Sequence, residues 1–321
     1  MPGGKGIFRR RQQRNRRHSV LLIGLMVIIC AFLGWSLAGS IGLVMLGALA
    51  GVILLVGPRV SHKLVLKMYG ATRLRDRDAP ELIHLVRTLA NKAGLPVMPQ
   101  IYYVPSEMVN AFSVGTRDNP SMAFTDGILR NLATRELTGV TAHEVAHIRN
   151  NDGWVMGLAD SVSQIVYIMS WTGQILLFIN LPLFLMGSEA IPWIFIIVLI
   201  LAPTLSSLLQ LALSRTREYD ADLDAIRLTG DPRGLASALA KLEQLSGSFF
   251  ERIFLPGRRI PEPSLLRTHP STEDRIKRLL ELEKDLTKKT PDADHGLPGH
   301  LKHRLLSHIV PPRWHINRFW Y

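Results

Sequence analysis

A single cysteine, Cys30, is all that 321 residues contain. That scarcity excludes an intramolecular disulfide and a cysteine-based zinc site, so any metal must be held by His, Asp or Glu. Charge is sparse as well: Asp, Glu, Lys and Arg make up 20% of the chain against 47% hydrophobic residues, and the mean hydropathy is positive. That balance is high for a soluble protein and fits one carrying several apolar spans. The length accommodates two ordinary domains, or one domain plus membrane segments. The net charge of +12 is uneven, with Lys5, Arg9, Arg10, Arg11, Arg14, Arg16 and Arg17 crowded into residues 1–18. Such a basic tail can bind nucleic acid or anionic lipid. No nucleic-acid-binding motif accompanies it and an apolar run follows at once, which favours membrane lipids as the partner.

Four apolar segments stand out. Ser19–Ala38, "SVLLIGLMVIICAFLGWSLA", has about the length of a membrane span, and Ile41–Val56 follows after little more than Gly39 and Ser40. Together, residues 19–58 read as a transmembrane hairpin ended by Gly57–Pro58, with Gly42, Gly47 and Gly51 allowing close approach. A cleaved signal peptide is the rival reading of the first run, but no polar mature start separates it from the second. The third segment, about 160–186, is interrupted by Ser163, Gln164 and Asn180; the fourth, about 191–213, is cleaner. Buried core helices of a soluble domain are the alternative for this pair. Lys and Arg flank the predicted spans on one side only: the basic tail, then Arg59, Lys63 and Lys67, then Arg215 and Arg217, while Glu189 marks the loop between segments three and four. The positive-inside rule then puts both termini and the polar middle in the cytoplasm.

Between the hairpin and the third segment lies a soluble-looking region. Residues 78–92 carry Leu82, Leu85, Val86 and Leu89 at helical spacing, "QIYYV" is a strand candidate, and residues 110–129 read as a β-hairpin turning at "TRDNP". A helix is expected from Thr134, its candidate N-cap, with Glu136 in its first turn.

That helix carries "TAHEVAHIRNNDG", residues 141–153. His143 and His147, four apart, lie on one face and can present both imidazoles to one cation. Glu144 lies about 100° round, placed to reach a water rather than the metal. This is the H-E-x-x-H pattern of zinc peptidases. A metzincin would need Gly at 150 and His at 153, where Asn150 and Gly153 stand. A catalytic zinc site needs a third protein ligand. "SRTREYDAD", after the fourth segment, offers Glu218, with Asp222 four residues on to hydrogen-bond the outer nitrogen of a zinc histidine. Alone, this stretch also reads as a solvated acidic helix start; beside the first motif it reads as the glutamate-type, or gluzincin, arrangement.

Over roughly residues 15–280 the chain resembles the HtpX-like integral-membrane zinc metalloproteases, which are related to the CAAX prenyl proteases. The resemblance rests on the N-terminal hairpin, "NAFSVG", "TAHEVAHIRNND", the two apolar segments between the ligand groups, "SRTREYDAD" and "THPSTEDRI". It implies a mainly α, gluzincin-type membrane metalloprotease with about four transmembrane helices and a small β-hairpin or sheet beside the H-E-x-x-H helix. It further implies a metalloprotease domain over residues 59–285 interrupted by the two later membrane segments, one Zn2+ per chain, and residence in the cell inner membrane. The activity implied is endopeptidase cleavage of unfolded or membrane-protein substrates at the cytoplasmic face, for protein quality control. By the same resemblance His269 lies near the zinc and either assists the oxyanion or occupies the open position before substrate arrives, Arg275 lends support, and Asn110 begins a substrate-binding strand. Read without the family, His269 is a loop residue before a proline and Asn110 part of a plain hairpin. Residues 286–321 depart from the family pattern, and their "HLKHRLLSHIVPPRW" reads as either a basic amphipathic element on the membrane surface or a disordered tail. Two competing functions remain: CAAX-type processing, for which four spans are few, and a non-catalytic zinc-binding membrane scaffold or chaperone, which would have no need of Glu144 as a base.

Overall fold

The computed structural model describes residues 2–187, 191–253 and 272–288. His269, and the extension beyond Lys288, lie outside the described residues. The first helical stretch, α1 (Pro2–Met68), breaks at Ala38 and Gly39, whose φ of 58° and ψ of −138° suit glycine alone. There the chain doubles back. Gly34 packs on Leu46, and a Cβ on Gly42 would run into the Gly34 carbonyl; in a straight helix residues 34 and 46 would be about 18 Å apart.

The hairpin differs from the sequence expectation in two respects. Its close approach uses Gly34 and Gly42, whereas Gly47 and Gly51 face open space. Gly57–Pro58 does not end the second arm, which continues to Met68; a proline removes one ladder bond without necessarily stopping a long helix. Residues 2–18 are already helical, since α1 begins at Pro2, and Asn15 among them is buried.

A small sheet and two helices follow. Strand β1 (Thr72–Arg73) precedes α2 (Pro80–Ala93), β2 (Gln100–Val104), β3 (Ala111–Thr116) and β4 (Asn119–Thr125). Their order is β1-β2-β4-β3, with β2 and β4 parallel and the other pairs antiparallel. β1 gives no sequence signal because it is only two residues long. The hairpin expected over 110–129 stops at Thr125, where the Thr125 hydroxyl accepts from the Ile128 N–H (3.3 Å) and starts α3 (Asp126–Asn131).

Helix α4 (Thr134–Asn150) is capped by Ala133 rather than Thr134. The Glu136 carboxylate accepts from the Ala133 N–H at 2.8 Å and also binds Ser237 and Lys241 of α7 (Pro232–Ile253). The remaining helices are α5 (Asp152–Leu185), α6 (Trp193–Thr229) and α8 (Thr272–Lys288). Among the described residues three helical stretches are long and apolar enough to cross a membrane, 10–52 within α1, α5 and α6. Because α1 doubles back, they amount to four apolar arms. Their outer faces expose Phe32, Val44, Ile168, Phe178, Leu185, Ile194 and Leu208. A soluble domain would bury so continuous an apolar surface, so α5 and α6 are not core helices.

Among the described residues two large cores are joined by α6, and a smaller cluster of Leu66, Val104, Phe112 and Ala123 packs the end of α1 on the sheet. Met26, Leu33, Val162, Val166, Leu199 and Leu213 pack between the apolar arms. Leu82, Val86, Phe124, Ile128, Leu137, Val145, Ala225 and Leu282 pack between the sheet and helices α2, α4, α6, α7 and α8. The end of α4, the start of α5 and the middle of α6 meet where the two cores adjoin.

Candidate metal centre

Helical periodicity places His143 and His147 one above the other on α4, with their Nε2 atoms 3.0 Å apart. Glu218 comes from α6, with one carboxylate oxygen 3.3 Å from His143 Nε2 and the other 3.6 Å from His147 Nε2. One ligand atom from each residue lies within 4.8 Å of the others. Two residue pairs from distant segments, each spaced for one helix face, thus converge on one point.

The outer nitrogens of both rings are held. His143 Nδ1 lies 3.0 Å from Asp222, one turn beyond Glu218, as its spacing predicts. His147 Nδ1 lies 2.8 Å from Asp152, a partner that the sequence reading missed. α4 ends at Asn151, whose φ of 55° is the only positive value at a non-glycine among the described residues. Asn tolerates this left-handed conformation, and the turn it makes brings Asp152 back behind His147. The sequence signal, had it been used, is the "NND" that follows the motif.

Arg275 reaches in from α8. It donates to both oxygens of Asp222 at 2.6 and 2.9 Å, lies 3.0 Å from Glu218, and approaches the His143 ring at 3.3 Å. Burial disfavours its charge, but Asp222 and Glu218 outweigh that effect and hold it more firmly protonated than usual. Burial pushes the Asp222 carboxyl up, but Arg275 and His143 overcome this and bring it down to about 2. For His143, burial and the Arg275 charge act downward, and hydrogen bonds to Asp222 and Glu218 leave it raised to about 10. His147 is likewise raised against burial and the His143 charge, mainly by its bond to Asp152.

This donor set fits a metal ion. With each Nδ1 committed to a carboxylate, both Nε2 atoms and the Glu218 carboxylate converge on one small space, where a bound cation would displace the protons that the carboxylates otherwise favour on the imidazoles. Two imidazoles with one carboxylate are one of the donor sets found at catalytic zinc sites.

Glu144 is half-buried beside this group, and its carboxylate accepts from the Ser113 hydroxyl of β3 at 2.8 Å. Ser113 was not singled out by sequence, since only the strand register aims it at α4. Asn110 immediately precedes β3 rather than belonging to it. Its N–H donates to Thr125 Oγ1 at 3.0 Å and its carbonyl accepts from the Thr125 N–H at 3.0 Å. His269, the remaining expected site residue, lies outside the described residues.

Known proteins are similar to this chain over most of its length. The model of "Peptidase family M48" matches residues 76–283. A "Protease HtpX homolog" of Acaryochloris marina is 36% identical over 291 residues, covering 86% of this chain and 97% of that protein. Proteins of the same name from Nostoc punctiforme and Bifidobacterium longum are 35% and 33% identical, covering 84% and 85% of this chain and 97% and 93% of theirs. A solved structure, "Crystal Structure of S. mikatae Ste24p", matches with a TM-score of 0.39 and 20% identity, over 80% of this chain and 62% of that one. The family match spans strands β2 to β4, the H-E-x-x-H helix and the helix bearing Glu218, and the relatives match along nearly their whole length: the chain belongs to peptidase family M48 and is a membrane metalloprotease.

Proposed function

We propose that this metalloprotease is a zinc endopeptidase that cleaves misfolded or membrane proteins at the cytoplasmic face of the inner membrane. The observation that carries the proposal is the position of Glu144. It stands on the same turn as His143, beside three convergent donors, with Ser113 holding one carboxylate oxygen at 2.8 Å. A structural site or a scaffold gives no reason for a held, half-buried carboxylate at that place.

His143, His147 and Glu218 would hold the zinc, which when bound would supply the Lewis acidity that acidifies a water and polarises the scissile carbonyl. Glu144 takes the proton of that water as it attacks, then hands it to the leaving amine. Ser113 fixes which oxygen of Glu144 stays free for the transfer. Asp222 and Asp152 keep the two histidines in the tautomer that points Nε2 inward. β3 is an edge strand of the sheet, and an extended substrate segment pairing along it would pass Ser113 and Glu144, with Asn110 at its entrance. His269 is assigned to the developing oxyanion by the family resemblance. What supports the cytoplasmic orientation is that the basic residues 5–17, Lys63, Lys67 and Arg215 flank the apolar segments in the sequence, while no Lys or Arg lies between segments three and four.

The test compares detergent-purified, zinc-loaded protein with its Glu144→Gln variant, scoring self-cleavage and casein degradation with and without a chelator. Cleavage by the wild type, abolished by chelator and by Glu144→Gln while the variant still binds zinc, is the expected result. Equal cleavage by the variant would remove Glu144 from the chemistry, and a wild type that binds no zinc would overturn the reading.

A further inference from the structure

Asp152 uses only one oxygen on His147. Its Oδ2 takes the His147 contact at 2.8 Å. Its Oδ1 accepts from Arg217 Nε at 2.6 Å and lies 2.6 Å from Nη2 of the same guanidinium. Arg217 and Asp152 are both nearly inaccessible to solvent, their side chains 11% and 5% exposed. The carboxylate is therefore held by the protein rather than by water. Arg217 does not stop there. Its Nη1 lies 3.3 Å from Asp220 Oδ2 and 3.5 Å from Ser19 Oγ. The other oxygen of Asp220 accepts from Asn15 Nδ2 at 2.7 Å. Asn15 and Ser19 are both buried and sit on the first turns leading into the first apolar arm, and about 200 residues of sequence separate them from Arg217 and Asp220.

We infer that Arg217 is a positioning residue for the metal ligand His147, and that through it the first membrane helix takes part in holding the metal centre. The inference rests on the reading of His143, His147 and Glu218 as the metal ligands.

The chemistry favours this role over a simple helix-to-helix staple. A guanidinium places several donors in one plane and can fix the rotation of a carboxylate, which a point charge cannot. Rotation of Asp152 is what sets the direction of the His147 Nδ1 bond, and hence the aim of Nε2. Arg217 also lies one residue before Glu218 on α6, so the same short stretch supplies one ligand and orients the anchor of another. On α1, Asn15 and Ser19 keep Arg217 and Asp220 from swinging away.

The experiment uses the full chain in detergent, loaded with Zn2+ or Co2+, in four forms: wild type, Arg217→Met, Arg217→Lys and Asn15→Leu. Metal affinity is read by competition with a chromophoric chelator, ligand geometry by the visible absorption of the Co2+ form, and fold by melting of the metal-free protein. Arg217→Met is expected to weaken metal binding by about tenfold to a hundredfold and to alter the Co2+ spectrum. Arg217→Lys, with charge but no fork, restores part of the affinity. Asn15→Leu, far from the ligands, shifts affinity less but in the same direction. Should Arg217→Met fail to accumulate, Asn15→Leu carries the test. Val20→Ala, on the exposed face of the same helix, serves as the control and leaves both readouts unchanged.

If the variants melt earlier yet bind metal and absorb as the wild type does, Arg217 is only a staple and the inference is overturned. A wild type that binds neither metal overturns the ligand assignment itself, which separates the two failures.

Discussion

Asp222 is clamped between Arg275 and His143: it accepts from the guanidinium at 2.6 and 2.9 Å while lying 3.0 Å from the imidazole. One carboxylate thereby ties α8 to α4 through α6. Asp222→Asn keeps the shape but removes the charge that fixes the His143 tautomer. Metal affinity should fall by about tenfold to a hundredfold, measured by chelator competition on the solubilised protein. An unchanged affinity would mean that His143 is oriented by packing alone.

Ser113 predicts a different signature. Removing its hydroxyl frees Glu144 to rotate but leaves the ligand set intact. Ser113→Ala should lower kcat by about tenfold, close to the worth of one hydrogen bond to a charged group. Metal affinity and KM should hardly move. A rise in KM with kcat preserved would place Ser113 in substrate binding instead.

The contact between α4 and α7 is set by Gly139. A Cβ there would lie 3.0 Å from the backbone N and Cα of Leu235, itself a fully buried core residue. Gly139→Leu should cost about 1–3 kcal/mol by overpacking, seen as earlier thermal unfolding. Because α4 carries both histidines, metal loading should recover part of the lost stability. Unfolding at the wild-type temperature would show that α7 yields at little cost.

Acid should loosen the same contact by another route. Hydrogen bonds from Arg135, with a further one from the Gly234 N–H, hold the Asp231 carboxyl below the usual carboxylate range. A folded-state value below the unfolded one means stability that is fully present above about pH 4 and is lost as pH falls through the folded value. Asp231→Asn removes that dependence. Its melting temperature should start lower at pH 7 and fall less between pH 5 and pH 3 than that of the wild type. Parallel curves would exclude this pair from the acid response.

The residues legible in the sequence are those whose spacing matches a helix turn. His143 and His147, and Glu218 and Asp222, are each four apart, and the structure brings both pairs to one place. Asp152 escaped because it is five residues from its histidine and beyond a helix break, where periodicity carries no information. Arg217 escaped because two of its partners, Asp152 and Ser19, lie on other helices. Asn180 shows the opposite error. In the sequence it weakens the third apolar segment; in the fold its amide donates to the Ile191 carbonyl at 3.0 Å and accepts from the Ile191 N–H at 3.1 Å, closing the turn between α5 and α6. The polar interruption is a satisfied backbone cap, as an apolar surrounding requires.

The continuity of α6 has a dimensional consequence. From Trp193 to Leu213 the helix rises about 30 Å, the thickness of a hydrocarbon core, and Glu218 follows on the same rod about 7.5 Å further on. No hinge or loop intervenes between the apolar part and the carboxylate. A single residue inserted between Leu213 and Glu218 would lift that carboxylate by about 1.5 Å and swing it about 100° round, out of reach of both histidines. The height of the carboxylate above the apolar stretch is therefore graduated into the backbone, as a mark is on a dipstick.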